Sequence, residues 1–469
     1  MQLFPCDCII RIAISPHIPG SREAGIMDHH LRNGIAQNPN APQDILRALS
    51  HDWDEEVRKN VAGNRNTPED TLRELSHDRN AGVRTRIAIN RNTPQEVLWE
   101  LAHDSDHYVR KSVTRNNSAS IDLLGELSRD CDWMPRASIA ESPSTPPDIL
   151  RELSSDCTTD VRWAVAKNLS APEDILRELS HDNEDLVRTG VAQNPSTPQD
   201  VLRELARDSD EWVRMGIGEN PSAPQDVFRL LYRDVDERVR INVARNPSAP
   251  QDVLRELSRD TEVRGSLACN PTTPQDVLRL LHRDVDERVR CNVARNPSAP
   301  QELLQILVQD NELDVRRAVA DNPNASGDIL RDLMRDRFRE VRLHAAEKIS
   351  ATSDLLRELS LDEDLLMRCI PARSSSAPQD VLRSLSHDSE EPVRRCVACN
   401  SHAPQDVLRE LSRDCEGRVR PCIARNSSTP QDVLQELSLD TWTQIGVASN
   451  PSTPPHVLRE LLVKDGIAL

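Results

Sequence analysis

The amino-acid sequence predicts an all-α solenoid built from about 17 copies of one two-helix repeat of 26 residues. Two observations lead to this prediction: a motif returns at a fixed interval, and its apolar residues follow helical spacing without period-two alternation. The composition agrees, since aromatic residues make up only 2% of the 469 residues while Leu, Val, Ile and Ala are plentiful. Many thin cores in series fit this composition better than a few large globular cores, and no β-sheet is expected.

Each copy begins with Asn, often in the sequence Asn-Pro-Ser-Ala-Pro-Gln-Asp-Val-Leu-Arg, and positions are numbered from this Asn. The spacing is 26 residues, except that the copies from Asn246 and Asn426 have 24, so their later positions are counted past a two-residue deletion. An incomplete copy precedes the first one, because Leu31, Arg32 and Ile35 match the second half of the repeat. The copies start at Asn38, Asn64, Asn90, Asn116, Ser142, Asn168, Asn194, Asn220, Asn246, Asn270, Asn296, Asn322, Lys348, Ser374, Asn400, Asn426 and Asn450.

The first half of each copy predicts a helix that begins at position 5. This position is Pro in 14 of the 17 copies, preceded by Thr or Ala and followed two residues later by Asp or Glu in nearly every case. Thr is expected to cap the first amides, Pro suits the first turn, and the carboxylate faces the positive end of the helix. Apolar residues at positions 8, 9 and 12, such as Val201, Leu202 and Leu205, form one buried stripe.

The second half predicts a helix from about position 18 to position 26, which Asn-Pro at positions 1 and 2 of the next copy ends. Position 15 is Asp in all 16 complete copies, and position 21 is Arg in 15 of them, with Gln444 as the exception. We expect these two rows to form a structural ladder along the solenoid, with Asp208 and Arg214 as its members in one copy. A ligand-binding row of Arg side chains is the alternative.

The consensus resembles the leucine-rich repeat variant family over about residues 28–462. The copy from Asn194 carries nearly all of the motif, in Asn194, Pro195, Thr197, Pro198, Leu202, Leu205, Asp208, Asp210, Val213 and Arg214. The resemblance implies a right-handed superhelix without strands, in which the short second helix is of α or 3₁₀ type, related to HEAT and armadillo repeats. It implies no activity. Some members carry an N-terminal iron–sulfur module with four cysteines, but only Cys6 and Cys8 precede the repeats here, so we reject that module.

The pattern divides the chain into a non-repeat segment, residues 1–25, and a single solenoid, residues 26–469. The N-terminal residues show no signal peptide, no stretch of 18 apolar residues exists, and the eleven cysteines are scattered. We therefore expect reduced thiols and a cytoplasmic location. The net charge of −18 disfavours general binding of nucleic acid or anionic membranes.

Candidate binding residues lie where the copies differ. Position 19 is largely apolar or aromatic in the middle of the chain, and position 22 lies about one helical turn further along the same helix. Tyr, Trp and Met side chains in an exposed groove are typical anchors for a protein partner. The alternative is that they only fill space in irregular copies. The candidate partner-binding residues are Tyr108, Met134, Trp163, Leu186, Trp212, Met215 and Ile241.

No metal or cofactor is expected. Cys396, Cys399, Cys415 and Cys422 include one Cys-x-x-Cys, but Cys396 and Cys422 are equivalent residues of adjacent copies and so are about 10 Å apart. Zinc needs its sulfur ligands much closer together, so these residues are interpreted as small buried hydrophobic side chains. The sequence also contains no phosphate-binding loop, zinc-protease motif or nucleophile elbow, and we expect no enzymatic activity.

The sequence thus favours a non-catalytic protein-binding scaffold with a long concave surface, and leaves its oligomeric state open. One alternative is a nucleic-acid scaffold that uses the Arg row at position 10, although Glu at position 11 largely neutralises it. This row includes Arg151, Arg177, Arg203, Arg229, Arg255 and Arg279. A second alternative is a purely structural spacer, which a smooth, polar concave face would favour.

Overall fold

The computed structural model describes residues 21–348 and 353–464, and these residues form helices and no strand. The first helices of the copies are Gln43–Leu49, Glu69–Leu75, Gln95–Leu101, Ile121–Leu127, Pro147–Leu153, Glu173–Leu179, Gln199–Leu205, Gln225–Leu231, Gln251–Leu257, Gln275–Leu281, Gln301–Leu307, Gly327–Leu333, Ser353–Leu359, Gln379–Leu385, Gln405–Leu411, Gln431–Leu437 and Pro455–Lys464. The second helices are Ser21–Gln37, Glu55–Gly63, Ala81–Ile89, His107–Thr114, Trp133–Glu141, Thr159–Lys167, Asp185–Gln193, Glu211–Glu219, Glu237–Arg245, Arg264–Cys269, Glu287–Arg295, Leu313–Asp321, Arg339–Lys348, Leu365–Arg373, Glu391–Cys399, Arg420–Arg425 and Gln444–Ser449.

The first helix begins at position 6, because the Pro at position 5 is its N-cap residue. Pro198 has extended backbone angles, and its carbonyl accepts the amide of Leu202 at 3.0 Å. The prediction that Thr at position 4 caps the helix was wrong. Thr197 Oγ1 instead donates to the carbonyl of Val191 at 2.7 Å, which ties the turn to the end of the preceding second helix. The predicted apolar stripe is confirmed, since Val201, Leu202 and Leu205 are buried.

The second helix spans positions 18 to 26 in most copies and is of α type. Asp208 Oδ1 accepts the amide of Asp210 at 2.9 Å and closes the turn between the two helices. Asp210 then caps the second helix by accepting the amide of Trp212 at 2.8 Å. A 3₁₀ turn occurs among the described residues only at Thr261–Val263, in the 24-residue copy from Asn246. The deletion thus leaves one tight turn before a shortened helix.

The predicted ladder of Asp and Arg is confirmed, and it links most copies to the next. Arg188 Nε and Nη2 donate to both carboxylate oxygens of Asp208 in the following copy, at 2.8 and 3.2 Å. Arg214 donates back to the carbonyl of Asp208 at 2.9 Å and forward to the carboxylate of Asp234 at 2.7 Å. The Arg side chain therefore fixes both the turn of its own copy and the stacking of the next one.

A second ladder is formed by the Asn at position 1, which the sequence analysis treated only as a helix terminator. Asn220 is buried, and its Nδ2 donates to the carbonyls of Ala192 and Asn194 at 2.7 and 2.9 Å. Its Oδ1 accepts the amide of Ser222 at 2.8 Å. The side-chain amide thus satisfies two carbonyls of the preceding copy, which otherwise would be buried without a donor.

The two helix layers lie at different radii. Neighbouring second helices pack directly against one another, whereas neighbouring first helices barely touch. Neighbouring first helices are instead joined by long side chains. For example, Arg203 Nε donates to the carboxylate of Asp226 in the next copy at 2.8 Å. The more closely spaced layer must lie on the shorter, inner circumference, so the second helices line the concave side.

The solenoid closes on itself into a ring. Asn38 of the first copy donates to the carbonyls of Ala448 and Asn450 at 2.8 and 2.9 Å, exactly as each interior Asn does to the copy before it. The helix Ser21–Gln37 packs against Gln444–Ser449. The contact is close, because a Cβ at Gly34 would lie only 3.1 Å from Ser449 Oγ.

The two incomplete copies at the ends complement each other. The last copy supplies a first helix, Pro455–Lys464, and the incomplete copy at the start supplies a second helix, Ser21–Gln37. Together they make one full unit of the ring. With second helices about 8–10 Å apart, 17 units give a diameter of about 50 Å between helix axes, and an open lumen about 40 Å wide once the helix envelope is subtracted.

Candidate functional surface

The exposed side of the second helices, formed by positions 19, 22 and 26, faces the lumen and is called the lumen face here. In the second helix Glu211–Glu219, Trp212 and Glu219 are exposed and Met215 is half-buried, while Val213 and Ile217 point into the core. These three positions recur at helical spacing, so they form one stripe per copy. Side by side, the stripes make a continuous surface around the ring.

The position-19 candidates protrude from this surface. Tyr108 is 55% exposed and Trp212 is 51% exposed, and Leu186 is also exposed. Met134 is half-buried, and its neighbour Trp133 is exposed beside it. The structure therefore brings apolar and aromatic side chains of several copies onto one face, as their shared position in the repeat indicated.

The position-22 candidates are less available than the sequence suggested. Trp163, Met215 and Ile241 are half-buried and pack against the core. The Trp163 ring lies beside Gly190 of the next copy, where an added Cβ would come within 3.1 Å of Cδ1. Lys167 Nζ lies 4.7 Å from the centre of the same ring. These residues form the floor of the lumen face between the protruding position-19 side chains.

Charged neighbours hold the aromatic rings of the lumen face in place. The guanidinium of Arg238 lies 4.9 Å from the centre of the Trp212 ring. Arg238 is itself held by the carboxylates of Asp236 and Glu211, at 2.7 and 3.3 Å. The hydrogen bond from Arg238 lowers the pKa of Asp236 to about 2, so this carboxylate is ionised at neutral pH. The Trp212 ring therefore lies beneath a cation whose position is fixed.

The sequence analysis missed two members of the same row. Trp442 is 63% exposed at position 19 of the copy from Asn426, and Leu366 is exposed at position 19 of the copy from Lys348. The two-residue deletion shifts the numbering in the copy from Asn426, so Trp442 falls on this row only when the deletion is allowed for. Extending the row through both short copies would have found them.

The Arg row at position 10 lies on the first-helix layer and is neutralised, though not by the residues the sequence indicated. Five of the six Arg residues named in this row bind the Asp at position 7 of the next copy rather than the Glu at position 11. The five pairs are Arg151–Asp174, Arg177–Asp200, Arg203–Asp226, Arg229–Asp252 and Arg255–Asp276, at 2.6–2.9 Å. Because these five cations each have a carboxylate partner, the row offers little unpaired charge to a phosphate backbone.

The described residues contain no cluster of three or more His, Cys, Asp or Glu side chains arranged to hold a metal ion. The four cysteines weighed as ligands do not converge on one point. Cys399 pairs with Cys422, whereas Cys396 pairs with Cys369, a residue outside that set. In the described ranges no helix is both long and apolar enough to cross a bilayer.

These features define a helical-repeat solenoid, closed into a ring, whose copies are held together by the Asp–Arg and Asn ladders. A family profile described as leucine rich repeat variant matches residues 55–80, 186–210 and 237–262. Three segments of the chain therefore match the leucine rich repeat variant profile, and one of them extends into the copy from Asn194 that carries the motif.

Comparison with solved structures gives matches with low TM-scores. A leucine-rich repeat variant with a novel repetitive motif is 29% identical, over 47% of this chain and 85% of its own length, with a TM-score of 0.35. Kap121p is 11% identical over 94% of this chain, with a TM-score of 0.27, and the chain spans 53% of its length. The UNC-45 chaperone is 11% identical over 95% of this chain and 64% of its own, with a TM-score of 0.24. No curated protein sequence matches the chain.

Proposed function

We propose that the protein is a non-catalytic scaffold that binds a protein or peptide partner on the lumen face of its ring. The main support is that Tyr108, Leu186 and Trp212 are exposed in one row, on a face that is not buried when the copies stack. Large apolar side chains left in water cost free energy, which a partner recovers by covering them. The proposed contact residues are Tyr108, Met134, Trp163, Leu186, Trp212, Met215 and Ile241, with the half-buried members as the floor.

The partner that fits this surface is an amphipathic helix. Consecutive copies place their anchors about 10 Å apart, and seven residues of an α-helix rise by about the same distance. Apolar residues repeated at i and i+7 of a bound helix would therefore meet successive copies in register. The charges around the anchors are mixed, with Lys167 and Arg238 beside Asp185 and Glu211, so the partner needs no strong net charge.

The alternatives have less support. The pairing of the Arg row with Asp residues opposes a nucleic-acid scaffold. The exposed rings of Tyr108 and Trp212 oppose a purely structural spacer, for which a polar inner face would suffice. A reducing, cytoplasmic setting is part of the proposal, since the eleven cysteines are scattered along the sequence rather than spaced as a disulfide framework.

The test replaces Leu186 of the full chain with a photo-crosslinking residue and, as a control, replaces Trp53 in the same way. Trp53 is 72% exposed but lies at position 16, in the turn before the second helix and off the lumen face. The proposal is supported if a defined helical segment is crosslinked from residue 186 and not from residue 53. Equal capture from both positions contradicts it.

The affinity of that segment is then measured with a synthetic peptide. Tyr108→Ala with Trp212→Ala is expected to weaken binding at least about tenfold, since buried aromatic anchors contribute 2 kcal/mol or more. Trp53→Ala is expected to leave binding unchanged. We avoid Trp163→Ala, because Trp163 packs against the core and its loss would perturb folding. Unchanged affinity in the double variant would refute the role of these side chains.

A further inference from the structure

In several second helices the residue at position 23 contacts positions 22 and 26 of the preceding copy. Asn242 shows the geometry, since its Nδ2 donates to the carbonyl of Met215 at 3.4 Å and to the carboxylate of Glu219 at 2.9 Å. His344 repeats it, with Nδ1 3.3 Å from Asp321 at position 26 of the copy before. Residues at these three positions therefore lie close together across these junctions of the inner layer.

At one junction the residues at these positions are Cys369, Arg373 and Cys396. Cys396 occupies position 23, and Arg373 Nε donates to its sulfur at 3.1 Å. The thiol of Cys369, at position 22 of the preceding copy, donates to the same sulfur. Both sulfur-bearing side chains are buried. Cys396 is thus in contact with both a cation, Arg373, and a second thiol, Cys369.

The surroundings make the two cysteines unequal. The hydrogen bond from Cys369 and the charges of Arg373 and Arg395 outweigh burial and lower the pKa of Cys396 to about 6. The same hydrogen bond, together with burial, raises the pKa of Cys369. Near neutral pH, Cys396 is a thiolate and Cys369 is its protonated neighbour, which is the arrangement of an attacking and a resolving cysteine.

A cavity of 460 Å³ opens at Cys369 and Arg373, the two residues that contact Cys396. It is lined by Cys369 and Arg373, together with Leu343, Leu366 and Ile370. A small, uncharged oxidant such as hydrogen peroxide can enter an opening of this size, whereas a folded protein cannot.

We propose that Cys396 and Cys369 form a dithiol site that a hydroperoxide oxidises to a disulfide between two consecutive copies. The Cys396 thiolate attacks one peroxide oxygen, the O–O bond breaks, and the leaving hydroxide takes a proton to become water. The resulting sulfenic acid is attacked by the Cys369 sulfur, its S–O bond breaks, and a second water leaves with the Cys369 proton. Overall, two thiols and one peroxide give one disulfide and two waters.

The next junction holds a second pair of cysteines. Cys399, at position 26, is hydrogen-bonded to Cys422, at position 23 of the following copy, and this contact together with burial raises the pKa of Cys399. Neither of these sulfurs lines the cavity at Cys369 and Arg373. This pair therefore serves as an internal comparison for the site at Cys396.

The experiment treats the reduced full-length protein with hydrogen peroxide and maps cross-linked peptides by mass spectrometry. We expect a Cys369–Cys396 cross-link, and we expect Cys369→Ser to accumulate a sulfenic acid at Cys396 that a dimedone probe traps. Cys291 is the matched control, because it is also buried and its pKa is raised by burial. Cys396 should react at least about tenfold faster than Cys291 at neutral pH, as its greater thiolate fraction requires.

A variant separates reactivity from mere proximity. Arg373→Gln should move the pH midpoint for modification of Cys396 upward, while leaving that of Cys291 in place. Oxidation of wild-type protein without a Cys369–Cys396 cross-link, or with Cys291 reacting as fast as Cys396, would overturn the proposal. The wild-type cross-link alone decides the matter if a variant fails to fold.

Discussion

Arg459 of the last copy donates to the carboxylate of Asp44 in the first copy, with Nε and Nη2 at 2.9 and 3.2 Å from its oxygens. The pair repeats the interior contact between Arg203 and Asp226, although 415 residues separate its members instead of 23. The junction between the chain ends is therefore an ordinary copy-to-copy interface. Unlike the interior junctions, no covalent connection maintains it.

Deletion of residues 1–37 is expected to open the ring. The deletion removes the helix Ser21–Gln37, so Gln444–Ser449 and the last first helix lose the neighbour that covers them. Small-angle X-ray scattering, extrapolated to zero concentration, should show a larger maximum dimension than for the intact chain. A shorter deletion, of residues 1–20, is the control and should keep the dimension of the intact chain. Equal dimensions for both deletions would show that closure does not depend on this helix.

Asp208→Ala is expected to destabilise the protein far more than Asp226→Ala. Asp208 is a nearly buried partner of Arg188, and its removal leaves a guanidinium without its carboxylate, at a cost of about 3 kcal/mol or more. Asp226 pairs with Arg203 on the exposed first-helix layer, where water replaces the lost partner. Urea denaturation should show a clearly lower midpoint for the first variant only. Similar midpoints would mean that the ladder adds little to stacking.

The ladder carboxylates predict loss of stability in acid. Burial by itself raises the pKa of Asp208, but the hydrogen bonds from Arg188 and from the amide of Asp210 outweigh it, and the net pKa lies below its usual value. Asp182 and Asp310 show the same balance. A carboxyl whose folded pKa is lowered stabilises the fold above its unfolded pKa, and this contribution is lost as the pH falls through the folded value. The melting temperature should therefore fall steeply below about pH 4. A flat profile between pH 5 and pH 2 would contradict this.

Asn220→Asp is expected to be more damaging than Asn220→Ala at neutral pH. Alanine leaves the carbonyls of Ala192 and Asn194 without a donor, at a cost of about 1–3 kcal/mol. Aspartate adds a buried negative charge facing the same two carbonyls, so its pKa must rise above that of the unfolded chain. The variant should then regain stability as the pH falls, because the protonated carboxyl can donate. The alanine variant supplies the control, since it lacks this recovery.

The sequence identified the periodic parts of the structure well because their causes are local. The apolar spacing at Val201, Leu202 and Leu205 fixes which side of the first helix is buried, whatever the neighbouring copies do. The constant Asp and Arg rows indicated a ladder. The role of the Asn row was missed, because its partners are backbone carbonyls, which leave no pattern of side-chain types.

The candidate surface was predicted in part. Position 19 follows from helical periodicity, and Tyr108 and Trp212 are exposed there. The depth of position 22 depends on how closely two second helices approach, and a small residue in the next copy, such as Gly190 beside Trp163, changes that distance. A single-copy pattern contains no such information. The pairing of Cys369 with Cys396 was missed for the same reason, since the contact joins different positions of two copies.

The sequence by itself determined the repeat, its two helices and the residues that stack them. It even contained both halves of the closing unit, in the incomplete copy ending at Gln37 and in the last helix, which begins at Pro455. The ladder is also altered near the end of the chain, where Gln444 stands at the Arg position and Lys464 of the next copy stands at the Asp position. Only the tertiary structure decided that these halves meet. Closure depends on the sum of small rotations over every copy-to-copy junction, and a contact such as Asn38 with Asn450 forms only when that sum returns the chain to its start.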